Sequence, residues 1–202
     1  CHSIAVYFRD QGLDVLLLVD SLTRYAMARR EVALALGEPP ATRGYPPSVF
    51  TLMPQLIETA GNGENERGSM SAIYTVLAEG DDQQDPVVDT ARAILDGHIV
   101  LTRELAERGH YPAIDILKSI SRCMALVTTP EHQRAARRLT ALVARYEQVR
   151  ELLPLGAYVQ GSDPETDRAV ELYPRIEAFL HQGTHEAAPL AETVARLEEL
   201  MA

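Results

Sequence analysis

Val15-Leu16-Leu17-Leu18-Val19-Asp20 is the stretch from which the rest of the chain can be read. An unbroken apolar run of this length, ended by an acid, has the pattern of a strand buried on both faces in a parallel sheet. A half-exposed strand would alternate apolar with polar. Asp20 then stands at the C-terminal tip of the strand. A carboxylate there can accept from a Mg²⁺-bound water and hold the metal beside nucleotide phosphates. The same pattern also fits a plain strand-end acid that caps the following helix, and the local residues leave both readings open.

Upstream of this strand, residues 1–11 place Ile4, Ala5 and Phe8 on one helical face, and Gly12 is the stop signal. Downstream, residues 21–36 return to helical spacing. Gly37–Pro47 holds four prolines and two glycines in eleven residues, which forbids regular structure. So long a loop is more often functional than idle. A helix over 48–60, an exposed turn over 61–68 and a second strand over 69–77 follow. Then come an acidic loop over 79–86, a short helix over 87–95, a third strand over 98–102, a short helix over 103–108 and a fourth strand over 113–116. Beyond residue 130 only helices are predicted. Thr128 with Glu131, and Ser162 with Glu165, have the spacing of capping boxes. Ala135, Leu139, Leu142, Tyr146, Val149 and Leu153 carry the first of these helices, the second runs to Leu180, and residues 188–201 make the last. Strands alternating with helices, then helices alone, predict an α/β nucleotide-binding domain over 1–130 and an all-helical domain over 131–202.

The composition sets limits on function. The 202 residues are 46% hydrophobic and 24% charged, enough to bury a sizeable core. No stretch approaches the roughly 20 apolar residues of a membrane span. A net charge of −10 disfavours broad binding to nucleic acid, and with no Trp and 5% aromatics no stacking platform for single strands is evident. Cys1 and Cys123 lack metal spacing and fit free thiols in a reduced cytoplasmic setting. The six histidines are scattered without ligand spacing, which argues against a zinc site. Gly61–Gly68 resembles a phosphate cradle only superficially: it lacks Lys, carries Glu64 and Glu66, and follows no buried strand. No G-x-x-x-x-G-K-[ST] occurs anywhere, and the chain opens on Cys1 rather than on a methionine. The expectation is a C-terminal portion of a nucleotide-driven motor whose phosphate-binding loop lies upstream.

Four segments then combine: DVLLLVDSLTRYAMARREVALALGEPPATRGYPPSVF from Asp14, YTVLAEGDDQQDP from Tyr74, ILDGHIVLTRELAERGHYPAIDILKSISR from Ile94 and LGAYVQGSDP from Leu155. In this order they closely resemble the flagellar branch of the type III export ATPases, in the family of the rotary ATP synthase α and β subunits. The resemblance covers essentially the whole chain. It implies a RecA-like P-loop NTPase core, here partial, followed by an all-helical C-terminal domain. It implies ATP and Mg²⁺ as cofactors, a homohexamer with Mg-ATP at its subunit interfaces, and hydrolysis that energises protein export for flagellum assembly. The implied partners are the export gate, stalk and regulator proteins, export chaperones and substrates, with no nucleic acid. The implied location is the cytoplasm, at the inner face of the membrane that holds the export machinery. This chain alone is expected to be inactive.

The resemblance also assigns roles. Asp20 matches the Mg²⁺-side acid. Arg122, closing Ser119-Ile120-Ser121-Arg122, matches an arginine finger offered to the neighbouring subunit. A guanidinium suits that role because it stays charged and forks over two phosphate oxygens. Tyr111 matches an adenine-stacking ring, and Phe179 the second wall of that pocket, although Phe179 also falls at core spacing with Leu172 and Ile176. Arg24 is expected to pair with Asp20 across one helical turn, and the Gly37–Pro47 loop resembles the segment facing the central pore. Arg134, Arg137, Arg138, Arg145 and Arg150 form a basic run over residues 132–150 that contains one acid, Glu147. A solvated helix face is the default for such a run, and docking of an acidic partner a second role. The alternatives are a virulence type III secretion ATPase, an ordinary ATP synthase subunit and a non-catalytic ring subunit or scaffold. A RecA-like nucleic-acid translocase is disfavoured by the net charge.

Overall fold

β1 (Asp14–Val19) pairs in parallel with β3 (Ser69–Tyr74), and the two-residue β2 (Gly61–Asn62) adds to β3 in the antiparallel sense. This computed structural model describes residues 1–64, 67–78 and 85–202, which fall into two compact units, Cys1–Leu95 and Asp96–Ala202. The acidic loop at 79–84 and residues 65–66 of the 61–68 turn lie outside the described residues.

In the first unit α1 (His2–Asp10) rests on one face of the sheet, where Ala5, Leu17 and Met70 are buried together. Of the helical face expected there only Ala5 is covered, while Ile4 and Phe8 are 62% and 44% exposed. The other sheet face carries Leu16 and Leu18, 64% and 66% exposed. β1 is therefore covered on one face by the described residues, not on both. The apolar run records the strand's composition, whereas cover depends on what lies above each face. A second core joins α2 (Leu22–Ala35), α3 (Pro47–Ile57) and α4 (Pro86–Ile94) through Leu22, Val49, Met53 and Val87. The Gly37–Pro47 loop holds only a 3-10 turn at Thr42–Gly44, as its prolines demand, yet it is firmly anchored. Tyr45 is buried with the Arg30 guanidinium 5.3 Å from its ring centroid. Glu38 accepts from the Ser48 N–H at 2.9 Å, and hydrogen bonding to Ser48 holds its carboxyl below the usual range.

The second unit begins with β4 (Gly97–Leu101) and α5 (Arg103–Glu107), followed by β5 (Ile114–Ser121), which pairs with β4 antiparallel in a sheet of its own. β5 is longer than the strand expected over 113–116. Its register jumps from His98–Ile120 to Val100–Asp115. The bulge is held from within: the Asp115 carboxylate accepts from the N–H groups of Leu117 and Lys118. The Ser119 hydroxyl donates to the Asp115 carbonyl at 2.7 Å and accepts from the Val100 N–H at 3.0 Å. After the short α6 (Met124–Val127), α7 (Pro130–Val149), α8 (Pro164–Leu180) and α9 (Leu190–Met201) bury Leu139, Val143, Ala169, Ile176 and Leu197. Tyr146 and Tyr173 stack between α7 and α8 with ring centroids 3.5 Å apart.

Both expected caps lie one residue later than the capping-box spacing placed them. Thr129, not Thr128, accepts from His132 N–H, and Asp163, not Ser162, accepts from Glu165 N–H. The cause is Pro130 and Pro164 at the first helical position. A proline keeps the residue before it extended, which is the cap conformation. Asp167 then gathers the LGAYVQGSDP loop, accepting from the Tyr158 hydroxyl at 2.7 Å and from Gly161 N–H at 2.8 Å. Among the described residues no helix is long and apolar enough to cross a membrane.

Candidate functional site

Asp20 leaves the tip of β1 exposed, as a ligand-side acid must be. Its surroundings are built by the chain just past β3. Thr75 N–H donates to the Val19 carbonyl at 3.0 Å, Leu22 N–H to the Thr75 carbonyl at 3.0 Å, and Leu77 N–H to the Thr23 hydroxyl at 2.9 Å. Thr75 also donates its hydroxyl proton to Asp20 Oδ1 at 2.6 Å, which fixes the carboxylate through one oxygen and leaves Oδ2 as an acceptor. That donor set suits a hard cation approached through water. The cap of α2 is Ser21, whose hydroxyl accepts from Arg24 N–H at 3.3 Å. Asp20 therefore lies before the helix, the i, i+4 geometry does not apply, and among the described residues no ion pair joins it to Arg24.

Arg122 is exposed at the end of β5, where its N–H donates to the Asp96 carbonyl at 2.7 Å. Gly97 beside it is required by the close approach of β5, since a Cβ there would stand 2.6 Å from the Ile120 carbonyl oxygen. Tyr111, 55% exposed, sits on the turn after α5, and its carbonyl accepts from Gln182 N–H at 2.9 Å. An exposed ring on an anchored turn is available to stack on a base. Phe179 is half-buried against the helical core, with the Arg196 guanidinium 5.7 Å from its ring centroid. The backbone bond from Gln182 brings the end of α8 to the Tyr111 turn, while the Phe179 ring itself packs toward α9.

Residues 1–121 match the family profile of the ATP synthase alpha/beta family nucleotide-binding domain. The chain belongs to the ATP synthase alpha/beta family. Residues 128–199 match a second profile, the T3SS EscN ATPase C-terminal domain. The flagellum-specific ATP synthase of Pseudomonas aeruginosa is 61% identical over 202 residues, which are 100% of this chain and 45% of that protein. The flagellum-specific ATP synthase of Salmonella typhimurium is 58% identical over 195 residues, covering 96% of this chain and 43% of that one. The type 3 secretion system ATPase of Pseudomonas syringae pv. syringae is 57% identical over 198 residues, covering 98% and 44%. The structure of the assembled ATPase EscN from enteropathogenic E. coli superposes with a TM-score of 0.95 at 50% identity, covering 100% of this chain and 48% of that one. EscN in complex with its central stalk EscO gives a TM-score of 0.89 at 49% identity, covering 99% and 47%. The chain thus spans somewhat less than half the length of the curated relatives it matches. The expected fold, a partial RecA-like α/β core followed by helices, is the one this ATP synthase family member has.

Four of the five arginines in the basic run are engaged within the second unit. Arg134 meets Glu131 at 2.7 Å, Arg145 meets Glu165 at 2.9 Å, Arg150 meets Glu147 at 2.9 Å and Glu104 at 3.6 Å, and Arg138 donates to the Met201 carbonyl. The run looked acid-poor only because most of its partners lie outside it in the sequence. A shallow cavity of about 400 Å³ between α7 and the end of α9, lined by Glu131, Arg134, Arg138 and Met201, contains none of the four site candidates. The roles of Asp115, Thr75 and the Ser119 hydroxyl have no signal in the sequence, where Ser119 enters only as the start of the Arg122 motif, because a polar residue beside a strand does not announce the carbonyl or carboxylate it will meet. Two of the histidines that are scattered along the sequence meet in the fold. His110, buried, and the exposed Glu177 and His181 come together, one ligand atom from each lying within 4.8 Å of the others. The two imidazoles meet edge to face with centroids 4.3 Å apart. Burial, then the neighbouring His181, lowers the pKa of His110, and Glu177 opposes this.

Proposed function

We propose that the protein containing this chain is an ATPase that energises type III protein export during bacterial flagellum assembly. The observation that carries this reading is the 61% identity to the flagellum-specific ATP synthase of Pseudomonas aeruginosa across all 202 residues. The working form is a homohexamer at the cytoplasmic face of the membrane, with Mg-ATP between neighbouring subunits. EscN is known as an assembled ATPase and in complex with its central stalk EscO, which supports a ring with an axial partner for the protein containing this chain. Export gate, regulator, chaperones and export substrates complete the set of partners. Residues 1–130 are assigned to the ATPase segment and 131–202 to the helical domain, a division supported by profiles that end at 121 and begin at 128.

Within the site, Asp20 would help to hold Mg²⁺ with its open oxygen while Thr75 keeps the other. The metal supplies charge neutralisation at the β- and γ-phosphates. Tyr111 stacks on adenine, with Phe179 as the second wall of the pocket. Arg122, steadied by its backbone bond to Asp96, reaches the nucleotide of the adjacent subunit and stabilises charge on the transferring phosphoryl group. The test is Arg122→Ala in the full-length protein, read as steady-state ATP hydrolysis by assembled rings. A fall of about 10³-fold is expected for a finger of this kind, and near-normal turnover sinks the assignment.

A virulence secretion ATPase is the second reading, favoured by 57% identity to the Pseudomonas syringae protein. Complementation separates the two. Restored swimming in a non-motile strain lacking its flagellar ATPase supports the first, and restored effector secretion without swimming supports the second.

A further inference from the structure

His110, Glu177 and His181 lie outside the residues assigned to nucleotide. They come from two segments far apart in sequence, the turn after α5 and the C-terminal end of α8. Glu177 lies in the last turn of α8, and His181 is the residue that caps its end, its N–H donating to the Glu177 carbonyl at 3.0 Å. His110 is delivered to them by the turn, whose shape is set by backbone bonds. Its own N–H donates to the Leu105 carbonyl at 2.9 Å, Gly109 N–H donates to Ala106, and the Tyr111 carbonyl accepts from Gln182 N–H at 2.9 Å. A backbone hydrogen bond and the contact of the two imidazole rings therefore join the two segments.

We propose that His110, Glu177 and His181 form a binding site for a transition-metal dication of the zinc class. Two imidazole nitrogens and one carboxylate oxygen are the donor set that zinc accepts with a fourth position open to water. The two nitrogens discriminate against Mg²⁺ and Ca²⁺, which prefer oxygen. A tetrahedral ion with bonds of about 2.1 Å separates its donors by roughly 3.4 Å. The present spread, within 4.8 Å, closes by rotation of Glu177 and His181, both of which are exposed, onto the buried His110. The bound ion staples the Tyr111 turn to the end of α8. The site does not rest on the nucleotide assignment, since none of its ligands is a residue assigned to nucleotide.

The experiment uses the purified protein, stripped of metal with chelator and free of nucleotide, titrated with Co²⁺ as a spectroscopic probe and with Zn²⁺ in competition. One equivalent of Co²⁺ with visible d–d bands of a four-coordinate centre, displaced by Zn²⁺, is expected. His181→Ala and Glu177→Gln, both at exposed positions that tolerate substitution, should each weaken binding about tenfold or more. His110→Gln is the third variant, with its circular dichroism checked against wild type because the position is buried. Three results overturn the site: no uptake by the wild type, several weak equivalents taken up alike by wild type and His181→Ala, or binding lost in Cys1→Ser or Cys123→Ser while His181→Ala keeps it.

Discussion

The Thr75 hydroxyl donates to Asp20 Oδ1 at 2.6 Å, so the chain beyond one strand aims the acid at the tip of its neighbour. A hydrogen bond to a charged group contributes about 1.5–3 kcal/mol. Thr75→Val keeps the side-chain shape and removes the donor. Mg²⁺-dependent hydrolysis by the assembled full-length protein should fall about tenfold with an unchanged circular dichroism spectrum, and Asp20→Asn should fall further. Steady-state rates across a Mg²⁺ titration check both, and wild-type rates in Asp20→Asn would remove that residue from the site.

Tyr111 and Phe179 should separate by what each loses. Tyr111→Ala removes a stacking surface worth about 1–3 kcal/mol per base. It should weaken Mg-ATP binding by roughly tenfold or more, leave Mg-tripolyphosphate binding unchanged, and be rescued by Tyr111→Phe. Phe179→Ala should also lower the urea midpoint, because its ring packs on the helical core beside Arg196. Calorimetric titration with both ligands, alongside urea unfolding of each variant, tests the pair.

Gly97→Ala puts a Cβ 2.6 Å from the Ile120 carbonyl oxygen and 3.2 Å from the Ser121 Cα, and backbone cannot swing aside as a side chain can. Overpacking of this kind costs about 1–3 kcal/mol. The strand that presents Arg122 should shift with it. Thermal unfolding is expected to move to lower temperature, with ring ATPase reduced in parallel, and an unchanged melting temperature would contradict the close approach.

Asp163 caps α8 as an anion. The Thr166 hydroxyl bond is the largest cause that lowers its pKa below the usual aspartate range; desolvation, next in size, opposes it, and the Glu165 N–H and the charge of Arg145 lower it further. A carboxyl with a depressed folded pKa contributes stability above its unfolded value near 4, and that contribution is lost as pH falls through the folded value. Wild type should therefore exceed Asp163→Asn in stability at neutral pH, and the gap should narrow as pH drops below about 4. Urea midpoints of both proteins across that range measure it, and a gap independent of pH would contradict the assignment.

Some of this molecule is written in short spans of sequence. The apolar run to Asp20, the helical periods from Leu22 and from Ala135, and the prolines of Gly37–Pro47 act within a turn or two of chain. Their outcomes follow from local sterics and hydrogen bonding. Pro130 and Pro164 belong to the same class: their fixed φ moved each cap by one residue to Thr129 and Asp163, a rule legible in the sequence though the capping-box spacing passed over it. The long motifs carried the family for the same reason, since they preserve residues in order along the chain.

Tertiary structure alone decided the rest. Thr75 meets Asp20, and His110 meets Glu177 and His181, because packing brings distant segments together, and no spacing announces those meetings. Arg145 and Arg150 find acids at Glu165 and Glu104, so a run that looks free to dock a partner is largely satisfied within its own unit. Local residues determine which strand or helix forms and which atoms it offers. Which distant side chain meets those atoms is set by how the elements pack, because the energy of each contact exists only once both partners share the same few ångströms.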